Sequence, residues 1–188
     1  SNIIAIDAGT QSIRVALFDL KGNILKIERT PVEPYVSAEP GYAEQSPEYL
    51  WKVLTSTCKR LMDSIDVPIN SIKGMSITSQ RGTVVNLDRD GNPLRPAILW
   101  LDQRKAKAEH WPKGFTKIGL KLINMHESLV HAIKDGESNW IQQNQPEIWD
   151  KTYKYVFLST FFIHRLTGKF IDSIGSTVGY VPFNYKKQ

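Results

Sequence analysis

The first third of the chain alternates apolar and polar residues in short runs, a period typical of half-buried strands. Three such runs span Ile3–Asp7, Ile13–Asp19 and Ile24–Thr30. The segment Lys21-Gly22-Asn23 separates the second run from the third and has the composition of a tight turn. The pattern therefore predicts three consecutive strands folded as an antiparallel meander.

Apolar positions recur every three to four residues after Ser46, which predicts a helix with one apolar face. Ser46 can cap this helix, with Pro47 at its first position and Glu48 in its first turn. The apolar face comprises Leu50, Trp51, Leu54, Cys58, Leu61, Met62 and Ile65. Since Cys58 lies on this face, we interpret it as a small buried hydrophobe rather than a reactive thiol.

A fourth strand, Ile72–Ser79, follows this helix, and Val84–Leu87 is a shorter strand beyond it. The C-terminal half is more helical, with predicted helices over Glu137–Asn144 and Tyr153–Leu166 and with Gly168 as the C-cap of the second. Three antiparallel strands, a helix and a further strand resemble the first half of a ribonuclease H-like domain. The predicted fold class is therefore α/β, with a mixed sheet flanked by helices.

The composition is that of a globular chain, with 188 residues, 41% of them hydrophobic, and a net charge of +5. Because the basic residues are scattered, and because no stretch approaches the roughly 20 apolar residues of a membrane span, neither a nucleic acid nor a membrane is an expected partner. The single cysteine excludes an internal disulfide and favours a cytoplasmic location. The chain starts at Ser1 without a methionine, so we expect a cloned piece of a longer protein.

The first predicted strand ends on a carboxylate and leads into a turn of small and polar residues. Asp7 at the strand end is a hard oxygen ligand suited to Mg²⁺. Gly9 lets the backbone approach an anion closely, so that successive N–H groups can bind phosphate. Further donors for phosphate oxygens are Thr10, Gln11, Ser12 and Arg14. A hairpin with an ordinary polar turn is the alternative interpretation, because so short a pattern recurs by chance.

Two later segments carry side chains suited to binding a polyol. Gln80 and Arg81 follow the fourth strand, and sites in open α/β sheets lie beyond such strand ends. Trp100 and Asp102 follow an apolar run, and an aromatic face can cover C–H groups while a carboxylate binds hydroxyls. The alternatives are that Arg81 forms an interdomain or surface ion pair, that Trp100 belongs to the core, and that Asp102 simply pairs with Arg104.

Several common site patterns are absent from the sequence. It contains no GxxxxGK(S/T), GxGxxG, GxSxG or CxxC. Its four histidines show no metal-ligand spacing. These absences disfavour the P-loop, dinucleotide-binding, nucleophile-elbow and thiol-based classes.

Six segments along the chain together carry the most specific signal. They are Asp7–Arg14, Pro40–Pro47, Ile77–Gly82, Ile98–Arg104, Leu166–Lys169 and Asp172–Thr177. In this order they resemble the motifs of the FGGY carbohydrate kinases, a family that includes glycerol, xylulose, ribulose and gluconate kinases. The resemblance extends over almost all of residues 1–188, which would correspond to the N-terminal domain of that family.

The resemblance implies a first domain of the actin and sugar-kinase type, with the sugar in a cleft and ATP bound mainly by a second domain, which is absent here. It implies that Asp7 binds Mg²⁺, that the turn after Asp7 approaches the ATP phosphates, and that Arg14 stabilises the transferring group. The four side chains considered above for a polyol would line the sugar side of the cleft.

The resemblance also implies that part of the site is missing from this chain. The family's general base is an Asp on a strand downstream of Asp172–Thr177, so we expect it beyond Gln188, and we expect Asp172 to serve turn formation and packing. Residues 1–188 are then an incomplete domain, inactive alone, whose partner is the absent second domain; a homodimer remains open. Gly82 departs from the Glu of glycerol kinases at this position, which puts glycerol in question as the substrate.

Two other classes of function remain as hypotheses. The first is a non-catalytic sugar-binding or regulatory protein that retains the sugar-kinase fold. The second is a ribonuclease H-like nuclease, which needs several carboxylates around two metal ions. The nuclease is disfavoured because the fourth strand ends in Gln80 and Arg81 rather than in an acid.

Overall fold

The computed structural model describes residues 1–108 and 126–177. Its strands are β1 (Asn2–Ala8), β2 (Ser12–Asp19), β3 (Ile24–Pro31), β4 (Glu44–Gln45), β5 (Ile72–Ser79), β6 (Val84–Leu87), β7 (Ala97–Ile98) and β8 (Lys154–Phe157). Its helices are α1 (Pro47–Ser64), α2 (His126–Asp135), α3 (Glu137–Asn144), α4 (Pro146–Lys151), α5 (Leu158–Thr167) and α6 (Ile174–Thr177).

The first sheet has the strand order β3-β2-β1-β5. β2 pairs antiparallel with both β1 and β3, whereas β5 pairs parallel with β1. Asp19 closes the β2–β3 turn, because its carboxylate accepts hydrogen bonds from the backbone amides of Lys21 and Asn23 at 2.8 and 2.9 Å. The predicted meander and the predicted mixed sheet are therefore confirmed.

The second sheet, with the order β4-β7-β6-β8, contains an element that the sequence pattern misassigned. The helix predicted over Tyr153–Leu166 is wrong in its first residues, because β8 pairs antiparallel with β6 and α5 begins only at Leu158. The residues Tyr155 and Val156 are aromatic and β-branched, and such residues favour a strand where a partner strand is available. The helix ends where predicted, at Gly168, whose N–H donates to the carbonyl of His164 at 2.7 Å.

The main core lies between the first sheet and the two helices α1 and α5. α1 begins as predicted, since the Ser46 hydroxyl accepts a hydrogen bond from the Tyr49 amide at 3.2 Å. The most buried side chains of this core include Ile6, Ile13, Val15, Leu50, Leu54, Leu61, Phe161 and Phe162. Cys58 is partly buried against this cluster, and burial raises the pKa of its thiol, which agrees with its interpretation as a hydrophobe rather than a reactive thiol.

The opposite face of the first sheet carries a different set of side chains. Ile3 and Ile27 are 39% and 50% exposed on this face. Asp7 and Arg14 form a cross-strand pair at the end of β1 where the chain turns into β2. Within the described ranges, none of the helices combines the length and the apolar character needed to cross a bilayer.

Candidate functional site

β1 and β5 run parallel and end side by side, which brings the residues after both strands to one edge of the first sheet. Asp7 pairs in register with Thr78, and the amide of Gln80 donates to the carbonyl of Ala8 at 3.0 Å. Arg81 follows directly. The two strand ends considered from the sequence, one at Asp7 and one at Arg81, therefore meet at the same place.

An open groove of about 430 Å³ lies at this edge. It is lined by Asp7, Gly9, Thr10, Ser79, Gln80, Arg81 and Trp100. Members of both predicted groups, the phosphate-binding turn and the polyol-binding side chains, thus face one space. Gln11, Ser12, Arg14 and Asp102 were also predicted as site residues, but they do not belong to this lining.

The turn after β1 is tight and is stabilised by backbone hydrogen bonds. The amide of Gly9 donates to the carbonyl of Ser12 at 3.1 Å, and a Cβ on Gly9 would lie only 3.3 Å from that oxygen. Ser12 is 3% exposed, and the carbonyl of Gln11 accepts a hydrogen bond from the amide of Val32 at 3.0 Å. Ser12 and the Gln11 backbone therefore stabilise the turn, while Gly9 and Thr10 border the groove.

A chain of hydrogen bonds joins three of the residues that line the groove. The Trp100 indole Nε1 donates to the Thr10 hydroxyl at 3.1 Å, and this hydroxyl donates to Gln80 Oε1 at 3.0 Å. The amide nitrogen Nε2 of Gln80 is buried and finds no hydrogen-bond partner among the described residues. Because this nitrogen is buried, it reaches a ligand oxygen only if the Gln80 side chain moves, and the free-energy cost of an unsatisfied buried donor favours such a move.

Asp7 presents its carboxylate at one wall of the groove. Its Oδ2 lies 3.1 Å from Arg14 Nη1, and the two side chains are 50% and 49% exposed. An ion pair this exposed contributes little to stability, so both groups remain accessible to a ligand. Arg14 lies on the side of Asp7 away from the groove lining, where it borders a second shallow depression over the outer sheet face.

Trp100 is 55% exposed, so the alternative that it is a core residue is wrong. Its ring borders the groove and offers an aromatic face to a ligand there. Arg81 is also exposed at the groove. Their placement in the same groove as Asp7 suits a ligand that combines C–H surface with polar groups.

Asp102 occupies a different environment from the other predicted residues. Its side chain is 2% exposed and accepts hydrogen bonds from Arg104 and from the Ala43 amide, so the pairing with Arg104 that the sequence left open is observed. Burial alone would raise the pKa of Asp102, but the hydrogen bonds from Arg104 and Ala43 outweigh it and keep the pKa below its usual value.

Asp7 is the one acidic residue in the lining of the groove. Across residues 1–108 and 126–177, no three His, Cys, Asp or Glu side chains come close enough together to hold a metal ion. A Mg²⁺ ion that accompanies a nucleotide needs only one or two carboxylates, because phosphate oxygens and water complete its shell. The residues present therefore fit a nucleotide-borne Mg²⁺, and a single carboxylate disfavours the two-metal nuclease.

Asp172 lies in a compact network of hydroxyl groups at the start of α5. Its carboxylate accepts hydrogen bonds from Ser159 and Thr160, both at 2.5 Å, and from Ser176 at 2.8 Å and the Ser173 amide at 2.7 Å. Burial would raise its pKa, but these hydrogen bonds lower it below the usual value. The contacts agree with the expected role in turn formation and packing.

Sequence reasoning missed two contributions to this site. Ser79, the last residue of β5, lines the groove next to Gln80 and carried only the signal of its position at a strand end. Ala43 and Glu44 contact Asp102 and Arg104 from a distant segment. The sequence identified that segment only as part of the Pro40–Pro47 motif and did not indicate which residues it contacts.

Comparison with known proteins connects this geometry to one family. The sequence profile of the FGGY family of carbohydrate kinases, N-terminal domain, matches residues 2–187. A glycerol kinase of Thermococcus kodakarensis is 30% identical over 191 residues, covering 98% of this chain and 38% of the relative. The chain therefore spans about 38% of the length of the curated relatives that it matches.

Solved structures show the same fold. The xylulose kinase of Rhodospirillum rubrum superposes with a TM-score of 0.74 at 21% identity, over 94% of this chain and 37% of that protein. The glycerol kinase of Plasmodium falciparum, solved with ADP, gives a TM-score of 0.67 at 27% identity, over 89% of this chain and 34% of that protein. With its profile match over nearly every residue, the chain belongs to the FGGY family of carbohydrate kinases and corresponds to its N-terminal domain.

Proposed function

We propose that this chain supplies one wall of the active site of an ATP-dependent kinase that phosphorylates a hydroxyl group of a sugar or polyol. The observation that carries the proposal is the groove at the joint ends of β1 and β5. There a half-exposed carboxylate, a glycine turn, an amide, a guanidinium and an indole face the same space. The family supports the reaction class, since its members are carbohydrate kinases.

The phosphate side of the site is assigned to the turn after β1. Gly9 allows close approach of the phosphate oxygens, and Thr10 and Gln11 supply hydroxyl and amide donors to them, while the buried Ser12 stabilises the turn. Arg14 lies outside the groove lining but is paired with Asp7 at 3.1 Å, and its half-exposed side chain is the proposed group that stabilises negative charge on the transferring group. ATP is the proposed phosphate donor, which agrees with the ADP in the solved glycerol kinase relative.

Asp7 is the proposed residue for holding Mg²⁺. The ion, when bound, would neutralise charge on the phosphates. The part of the protein in this step is to present the Asp7 carboxylate at the groove wall and to keep Arg14 beside it. Because phosphoryl transfer depends on positioning and charge stabilisation, these fixed groups are the expected contribution of the chain.

The sugar side is assigned to Gln80, Arg81 and Trp100. The indole face of Trp100 covers C–H groups, and the unpaired Nε2 of Gln80 donates to a hydroxyl oxygen. Arg81 adds a charged donor at the mouth of the groove. On this division the phosphates would bind near Thr10 and the acceptor hydroxyl between Asp7 and Trp100, three residues that line the groove.

The general base is assigned to polypeptide outside these 188 residues. Asp7 is the one acid in the groove lining and is paired with Arg14. Lack of a base alone lowers a rate by about 10²–10⁴-fold. The 188-residue chain by itself is therefore expected to show no sugar-dependent ADP formation above the blank.

The test is to supply the full-length gene product with Mg²⁺-ATP and a panel of ketopentoses, ketohexoses, polyols and aldonates. We expect ADP formation that depends on one member of the panel, together with the phosphorylated sugar. If the folded protein binds one of these sugars without forming ADP, the sugar-binding protein of the same fold replaces this account. If it neither binds nor phosphorylates any, the proposed function fails.

A further inference from the structure

We infer that Asp102 is a positioning residue, which fixes the indole of Trp100 at the groove and does not itself bind the substrate. The inference rests on the proposed function, which identifies the groove as the site of the sugar. The observation that carries it is the position of the buried Asp102 carboxylate two residues from the exposed ring of Trp100. All hydrogen-bond sites of this carboxylate are occupied.

Trp100 stands on a turn whose two ends are buried. The amide of Asp102 donates to the carbonyl of Leu99 at 3.0 Å, which closes the turn around Trp100. Leu99 is 0% exposed, and its amide donates to the carbonyl of Ala43 at 3.0 Å. The exposed ring is thus attached to a backbone segment that Ala43, next to β4, contacts on both sides of Trp100, at Leu99 and at Asp102.

The Asp102 carboxylate has no capacity left for a ligand. Oδ2 accepts hydrogen bonds from the Ala43 amide and from Arg104 Nη2, both at 2.7 Å. Oδ1 accepts from the Arg104 amide at 2.9 Å and from Arg104 Nε at 2.7 Å. Four donors occupy the roughly four lone-pair sites of a carboxylate, so a sugar hydroxyl would have to displace one of them.

Arg104 is in turn held rigidly. Its Nη2 lies 2.8 Å from Glu44 Oε1, and Glu44 also pairs with Arg95. The Cζ of Arg104 lies 3.9 Å from the ring centre of Tyr42 and 4.5 Å from that of Trp140. A planar guanidinium held by two carboxylates and two aromatic faces is a fixed support for Asp102.

The free end of the indole is fixed as well. Trp100 Nε1 donates to the Thr10 hydroxyl, which belongs to the turn after β1. The ring therefore connects the second sheet, which holds its backbone, to the phosphate-binding turn of the first sheet. Removing the charge of Asp102 should loosen the backbone end of this connection and misplace the ring at the groove.

The first test reads the indole directly and needs no substrate. The 188-residue chain, labelled with ¹⁵N-tryptophan, contains five tryptophans, and Trp100→Phe assigns the Trp100 indole signal. Thr10→Val removes the hydroxyl that accepts the bond from the indole, so its spectrum shows where the Trp100 signal lies when that bond is absent. In Asp102→Asn we expect the Trp100 signal to move toward that position, while the signal of Trp51 in the main core stays in place. An unmoved Trp100 signal in a folded variant overturns the inference.

The second test is a double-mutant cycle in the full-length gene product. We expect Asp102→Asn to raise the KM for the sugar by about 10-fold and to leave the KM for ATP within about twofold. In the Trp100→Ala background the same substitution should change the sugar KM by less than about twofold. An undiminished 10-fold effect in that background identifies Asp102 as a direct ligand and overturns the inference, as does an unchanged sugar KM in Asp102→Asn alone.

A second variant covers the case in which Asp102→Asn does not fold, as judged by its thermal melt. Arg104→Lys keeps the positive charge but removes the two-pronged contact with Asp102. It should give the same indole shift and the same dependence on Trp100, and failure to do so overturns the inference. If no sugar is turned over, the proposed function fails on its own, and the indole measurement still decides the positioning role.

Discussion

The indole nitrogen of Trp100 donates a hydrogen bond of 3.1 Å to the hydroxyl of Thr10, a residue 90 positions earlier in the chain. This bond joins the turn assigned to the ATP phosphates to the ring assigned to the sugar. Both ligands of a phosphoryl transfer must be aligned for reaction, and a direct bond between their binding elements serves that alignment.

Trp100→Phe keeps an aromatic ring but removes the donor. We expect kcat/KM for the sugar to fall by about 3- to 10-fold in the full-length protein, the cost of one hydrogen bond. Trp149→Phe is the matched control, since Trp149 packs against Tyr155 away from the groove, and it should change kcat/KM by less than twofold. An equal loss in both variants would mean that the effect is one of general packing.

Gly82 has a backbone φ of +69°, a conformation that favours glycine. Gly82→Ala should therefore lower the free energy of unfolding by about 1 kcal/mol. Gly74→Ala is the control, because Gly74 lies on β5 with open space around its Cβ position, and there alanine should be neutral or stabilising by up to about 1 kcal/mol. Urea titration measures both, and equal effects would contradict the expectation.

The conformation of Gly82 also bears on the substrate. The resemblance implies a Glu in glycerol kinases at the position of Gly82, and a glutamate with the φ of Gly82 would be strained. The backbone conformation at this position therefore favours glycine itself, so glutamate could not replace it without strain. The doubt about glycerol as the substrate stays a prediction from the sequence.

The hydrogen bonds to Asp172 make stability depend on pH. Since the folded pKa lies below the usual 3.8, the carboxylate contributes stability that is fully present above about pH 5 and is lost as the pH falls through the folded pKa. Asp172→Asn should lower the free energy of unfolding by a constant amount above pH 5, and the difference from wild type should shrink below about pH 4.

Chemical unfolding at a series of pH values from 3 to 7 tests this expectation. Asp63→Asn, an exposed substitution near the end of α1, serves as the control for replacing a surface carboxylate, and its effect on the free energy of unfolding should be small beside that of Asp172→Asn. A difference between Asp172→Asn and wild type that stays constant down to pH 3 would rule out the charge of Asp172 as its cause.

The sequence predicted the elements whose signals are local. β1, β2, β3 and α1 have a clear period, and α1 has a capping residue at Ser46 that makes the predicted hydrogen bond. β8 was missed because the choice between strand and helix there depends on β6, which lies about 70 residues earlier and is the partner of β8. Local propensity cannot register a partner strand at that distance.

The same contrast between local signals and distant partners applies to the candidate site. Asp7 and Arg81 were recognisable because each stands at the end of a strand, and parallel pairing of β1 with β5 brought the two ends together. The burial of Asp102 was not recognisable, because Ala43 and Glu44, which complete its surroundings, lie far from it in sequence. Its pairing with Arg104, two residues away, was the part that local spacing could suggest.

The most direct test of the central claim concerns the carboxylate of Asp7. In the full-length gene product, Asp7→Asn should lower sugar-dependent ADP formation by about 100-fold or more, because it removes the proposed Mg²⁺ ligand and the partner of Arg14. The control Asp63→Asn should retain wild-type turnover. Loss in Asp7→Asn alone, with an unchanged thermal melt, is the result that this account predicts. Undiminished turnover in Asp7→Asn would contradict it.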